Sequence, residues 1–256
     1  MIPYPLTHDD VAAARALAET QRERLVALCA DLVEARSDQP AGDTRDAARV
    51  IAAYLAENGL APETRAAVPE KPNVLCRCGA GGPHLVLNGH IDTLAPGDEA
   101  AWSVPPFRLG RSDGRLTGLG IGNMKAGTAV LAVAFALLAA GSGLSGRITF
   151  TAVADEVVFG PHGTRWLLER DPDLAGDAVI NAEGPGGMGV ALAEKGLMWV
   201  ALTAESPPGQ GMLTMERTSA VARLARALAE IDGWNAWRSK APAAIAGVEA
   251  HAGDHG

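Results

Sequence analysis

The run AVLAVAFALLAAG, residues 129–141, constrains this chain more than any other stretch. It has no polar face, so as a helix it needs apolar cover on all sides. On its own it is too short to span a bilayer, which leaves the interior of a folded domain. Runs with β character lie before and after it. NVLCRC (73–78) and HLVLNGH (84–90) precede it, separated by GAGG; GRITFTAVADE (146–156) and DAVINAE (177–183) follow. Strand and helix signals alternating in this way predict an α/β fold, a sheet covered by helices on both faces.

Helical signals fill the remaining space. Residues 8–36 read as a helical entry segment opened by the cap signature THDD, and a second helix, TRDAARVIAAYLAENGL, stops at Gly59. HGTRWLLER reads as a further helix, KGLMWVALTAESP as a strand and TSAVARLARALAEI as an amphipathic helix. After Trp234 the chain becomes Ala, Gly, Pro and His. The expected organisation is therefore one α/β domain over 8–200, a short remnant over 201–233 and a flexible tail over 234–256.

Composition removes several function classes. Only 4% of residues are aromatic, the net charge is -8, and no basic patch is visible, so a nucleic-acid partner is not expected. The opening MIPYPLTHDD lacks a secretory signal, and no membrane association is expected. Three cysteines, Cys29, Cys76 and Cys78, give no disulfide framework and fit a reducing compartment, so the expected location is cytoplasmic.

Ligand-type residues collect where strands end. LVLN runs into Gly89-His90-Ile91-Asp92, ITFTAVA into Asp155-Glu156, and DAVIN into Ala182-Glu183. Ligands of open α/β sheets bind at the carboxyl ends of strands, so three such ends beside the glycine-rich turn GLGIGNMKAG (118–127) outline a pocket rim. Each piece also has a plainer reading. His90-x-Asp92 fits a surface turn as well as an imidazole oriented by a carboxylate. Asp155-Glu156 and Glu183 fit solvated loop acids, Lys125 an exposed helix start, Asn123 a helix cap, and His162 a local packing role. His251 and His255 fall in the tail.

Taken together, residues 85–204 resemble the di-zinc metallopeptidase family of acetylornithine deacetylase, succinyl-diaminopimelate desuccinylase, aminoacylase and glutamate carboxypeptidase. GHIDTLAP, AWSVPPF, GRLTGLGIGNMKAG, VADEVVFGPHGT, INAEGP and AEKGLMW match its segments in family order. The resemblance implies a three-layer zinc-exopeptidase fold with a mixed sheet, followed by a stunted lid. It assigns His90 and Glu183 to one metal, Asp92 to orienting His90, and Glu156 to the general base. The bridging aspartate of the family is Asn123 here, and the second glutamate of its Glu-Glu pair is Val157. The C-terminal histidine ligand has no counterpart, since the chain stops more than a hundred residues early by family standards, and the lid His-Gly resembles Gln210-Gly211.

Two cations side by side need anionic ligands, and a neutral amide and a valine do not supply them. The expected cofactor is accordingly none, or one divalent metal such as zinc held weakly by His90, Glu183 and Asn123; a dinuclear zinc centre is not expected. A carboxyl at the end of a buried strand loses solvation, so Glu156 is expected to carry protons near neutrality, with His90 and Asp92 as partners. Asn123, Lys125 and Gln210 are assigned to the substrate. The leading expectation is an enzyme acting on a small amino-acid-derived molecule, an N-acyl amino acid or peptide-like compound. Its chemistry would be acid/base elimination, cyclisation or acyl transfer. The alternatives are amide hydrolysis with a single metal, and a non-catalytic subunit or ligand-binding partner. A homodimer or a partner subunit is the expected association.

Overall fold

The computed structural model describes residues 7–141, 143–183, 200–208 and 219–233. The chain divides into two compact units, Met1–Gly184 and Pro185–Gly256. In the first, α1 (His8–Thr20) and α2 (Arg22–Glu34) replace the single entry helix expected from the sequence. Thr7 and Asp10 form a capping box that starts α1, and Gln21 ends one helix and begins the next. Helix α3 (Arg45–Glu57) ends before Gly59, which takes a φ of 76°.

A mixed five-stranded sheet follows, built from β1 (Glu63–Ala66), β2 (Pro72–Gly79), β3 (His84–His90), β6 (Arg147–Val153) and β7 (Ala178–Asn181) in the order β1-β2-β6-β3-β7. β1, β2 and β6 pair antiparallel, whereas β6, β3 and β7 run parallel. Between β3 and β6 lie the small antiparallel pair β4 (Gly110–Ser112) and β5 (Arg115–Thr117) and the helix α4 (Ala126–Ala140). Parallel neighbours require such a crossover, and the apolar run supplies it.

Helices cover both faces, as expected. On one side α2, α3 and α4 enclose Leu32, Ile51, Phe135 and Phe150, all fully buried. A buried side chain of this size contributes roughly 2 kcal/mol, so this face carries most of the stabilisation. On the other side α5 (Thr164–Arg170) packs Leu167 against Leu75 and Val153. Edge strand β7 is exposed along its whole length.

The stretch Ile121–Ala140 is by length and composition sufficient to cross a membrane, longer than the 129–141 run alone indicates. Half of it is buried inside the fold, and non-helical backbone at Asn123 and Met124 separates its first turn from α4. It serves as the core crossover helix.

In the second unit, residues 200–208 have no regular structure, so the strand expected there does not extend into them. Helix α6 (Ala220–Gly233) forms where the amphipathic pattern placed it. The expected tail, 234–256, lies outside the described residues, as do Gln210, His251 and His255.

Candidate functional site

The site follows from strand order. β3 lies between β6 and β7, and all three run the same way, so the residues just past their carboxyl ends meet on one rim. His90 ends β3, Glu156 follows β6, and Glu183 follows β7. One ligand atom from each comes within 4.8 Å of the others.

His90 is the best-held member, with 1% of its surface exposed. Its Nδ1 donates to the backbone oxygen of Asp92 at 3.0 Å and lies 3.5 Å from Asp92 Oδ1. Its Nε2 lies 2.7 Å from Asn123 Oδ1, 3.5 Å from Glu156 Oε2 and 3.8 Å from Glu183 Oε1. Burial pulls the imidazole pKa down. The hydrogen bond and charge of Asp92, with the charges of Glu156 and Glu183, outweigh burial and raise it above its ordinary value. Thr128 Oγ1 donates to the His90 carbonyl and Ile91 N–H to the Val153 carbonyl, which fixes the strand end.

Asp92 is fully buried and does not face solvent. Its two carboxylate oxygens accept from the Glu156 and Val157 N–H groups at 3.1 and 3.2 Å. It holds both the His90 ring and the loop after β6 in place.

The turn before α4 answers the question of Asn123. Gly120 takes a φ of 74° close to the Thr93 methyl group, a place without room for a side chain. Asn123 is extended (φ -129°, ψ 98°), and the Asn123–Met124 peptide is cis. Its side chain meets His90 rather than the helix, so the capping reading is corrected: α4 has no side-chain cap.

Lys125 departs from both of its sequence readings. It is 2% exposed, and its Nζ donates to the Leu32 and Ala35 carbonyls at 2.7 and 2.9 Å. It satisfies the open carbonyls at the end of α2 and presents no charge to a substrate. Burial pushes its pKa down to about 8, with Asp38 and Asp92 opposing.

Two acids also need correction. The side chain of Glu156 is only partly covered, 38% exposed at the rim rather than enclosed. Asp155, read as a solvated turn acid, is 2% exposed and bonds to Lys71 and to His162 Nδ1. Glu183 is 35% exposed, and its N–H donates to Asn181 Oδ1 at 2.7 Å. The sequence reading missed Lys71 and Asn73, although a fully buried asparagine amid the apolar run of β2 is itself a signal of a polar network.

Donor atoms held 2.0–2.1 Å from a tetrahedral zinc lie ~3.3 Å apart. The separations of His90 Nε2 from Glu156 and Glu183 match that spacing, and Asn123 Oδ1 adds a neutral oxygen. Two carboxylates and a neutral imidazole offset the charge of one divalent cation. This is the one such cluster among the described residues.

A mixed α/β sheet with an imidazole and two carboxylates converging past the ends of its parallel strands fits the exopeptidase type of metallohydrolase domain. The chain belongs to Peptidase family M20/M25/M40, whose description matches residues 86–250. It is 31% identical over 219 residues to the succinyl-diaminopimelate desuccinylase of Methylocella silvestris, covering 80% of this chain and 55% of that one. A second desuccinylase, from Parvibaculum lavamentivorans, is 33% identical over 147 residues, 56% of this chain and 36% of that one. The chain thus spans about half the length, or less, of these curated relatives. Among solved structures, an M20 family metallo-carboxypeptidase from Sulfolobus solfataricus superposes with a TM-score of 0.54 at 17% identity, covering 63% of this chain and 37% of that one. Human carnosine dipeptidase 1 superposes with a TM-score of 0.52 at 20% identity, covering 64% and 39%. These superpositions establish the fold.

Proposed function

We propose that the protein is an amide hydrolase acting on an N-acyl amino acid or dipeptide-like substrate with a single divalent cation. The observation that carries this reading is the convergence of the Asn123 amide oxygen and Glu183 on His90 Nε2, with Glu183 Oε1 3.8 Å from that nitrogen and Glu156 Oε2 beside them at 3.5 Å. His90 Nε2, Glu183 and the Asn123 amide oxygen would hold the ion. When bound, it would polarise the scissile carbonyl and ease deprotonation of water. Asp92 keeps the imidazole ring in place through Nδ1. Glu156 reaches solvent, and its carboxylate takes a proton from water and returns it to the departing amine nitrogen. Desuccinylases and a dipeptidase among the similar proteins support the substrate class.

Metal-free acid/base chemistry stays as a second reading because both ring nitrogens of His90 face oxygen acceptors, an arrangement that suits an imidazolium. The test is a zinc titration of the purified chain by calorimetry, with turnover of N-succinyl amino acids and dipeptides followed before and after chelation. One equivalent of zinc and chelator-sensitive hydrolysis are expected. Chelator-resistant turnover would favour the second reading, and two equivalents of zinc would overturn the single-ion proposal.

A further inference from the structure

We infer that Lys71 and His162, closing on the buried carboxylate of Asp155, form a polar clamp that positions Glu156 beside His90. Its role in turnover rests on the hydrolase reading; the restraint on the loop does not.

Asp155 leaves β6 with a φ of 64°, a left-handed conformation that is uncommon outside glycine. That turn sends its carboxylate inward while Glu156, the next residue, stays at the rim. The buried anion is met by the Lys71 ammonium on one side. On the other side it accepts from His162 Nδ1 at 2.7 Å and the His162 N–H at 3.2 Å. The Gly160 N–H closes the loop onto the Asp155 carbonyl at 2.8 Å, and a Cβ at Gly160 would collide with the Asp155 carboxylate. Asn73 ties both ends together, accepting from Ala154 N–H and donating to the His162 carbonyl at 2.9 and 3.0 Å.

Nothing in this network touches His90 or Glu183. It ends at the peptide carrying Glu156, whose N–H is held from the opposite side by Asp92. The loop is therefore gripped twice, by Asp92 and by the clamp, leaving the Glu156 side chain to reach out from a fixed backbone. A buried aspartate with a matched cation serves this purpose well, because removing the cation strands a charge and forces the loop to rearrange. Lys71, Asp155 and His162 are positioning residues for the proposed proton carrier.

Amide hydrogen exchange on the metal-free protein tests the clamp directly. In Lys71→Met, the Glu156 and Val157 N–H groups should exchange about tenfold faster or more while amides of β3 and β6 keep their rates, the signature of local opening. Lys71→Arg, which keeps the charge, should restore slow exchange. If Lys71→Met fails to fold, His162→Gln, with its side chain 32% exposed, removes one partner more gently and should accelerate the same two amides. Unchanged rates at residues 156 and 157, or acceleration spread equally through β3 and β6, would overturn the clamp. Where the parent protein hydrolyses an N-acyl substrate, kcat should fall with KM unchanged. A parent that turns over nothing defeats the hydrolase reading, while the exchange data still decide the clamp.

Discussion

His90 ends β3 and Glu183 follows the neighbouring parallel strand β7, yet they differ in almost everything else. His90 is enclosed, bonded at both ring nitrogens and pinned through its own carbonyl; Glu183 lies two residues past an exposed edge strand, with a third of its side chain in solvent. Strand order alone brings the two together, but only burial with matched hydrogen bonds holds a group still. The site thus has a firmly held half, His90 with Asp92, and a more exposed half, Glu183.

The largest break in this comparison is His90→Ala. Zinc affinity should fall by more than about a hundredfold in calorimetry, since the sole nitrogen donor of the cluster is lost. Asp92→Ala should cost about 3 kcal/mol in denaturant unfolding and about tenfold to a hundredfold in zinc affinity, because it frees two part-buried N–H groups and the ring together. Asn123→Asp combined with Val157→Glu should sharpen the contrast by supplying the missing anions, raising zinc stoichiometry from one equivalent towards two; no change would show that charge is not what limits the second ion. Glu183→Gln should weaken zinc about tenfold and leave unfolding free energy within about 0.5 kcal/mol, as befits an exposed side chain.

The smallest effect concerns Lys125. Its folded-state pKa, about 8, lies below the ordinary 10.5, so between these values the unfolded chain binds the extra proton. Stability from this group therefore rises with pH through that window, by about 1 kcal/mol at pH 9 relative to pH 7. The difference in unfolding free energy between the parent and Lys125→Met, measured across pH 7–10, should show that slope.

Much of this architecture was legible in the sequence. The apolar run of α4 and the β-rich runs of β2, β3, β6 and β7 announce themselves by composition and length, and the three strand ends locate the rim. β1 did not, because ETRA is short, polar and mostly exposed. Nor did the hairpin of β4 and β5, although its Asp113-Gly114 turn, with φ values of 51° and 73°, is a recognised signal. The site residues were found, but their surroundings were not. Lys125 is buried because carbonyls some ninety residues earlier in the chain receive it, and Asp155 because Lys71 lies across from it. Local sequence does not encode such distant partners. Glu156 looked buried beside Val157, yet the left-handed turn at Asp155 carries it outward.

Leu87 stands opposite Phe150 in β6 and Ile180 in β7, and none of these three belongs to the cluster at the rim. Alignment of the strands is thus entrusted to side chains in mid-sheet, while reactive groups hang beyond its edge. Residues at the rim, Asn123 and Val157 among them, can therefore change without disturbing the scaffold that aims them. An ancestral framework of this kind is free to drift in chemistry while its form stays put.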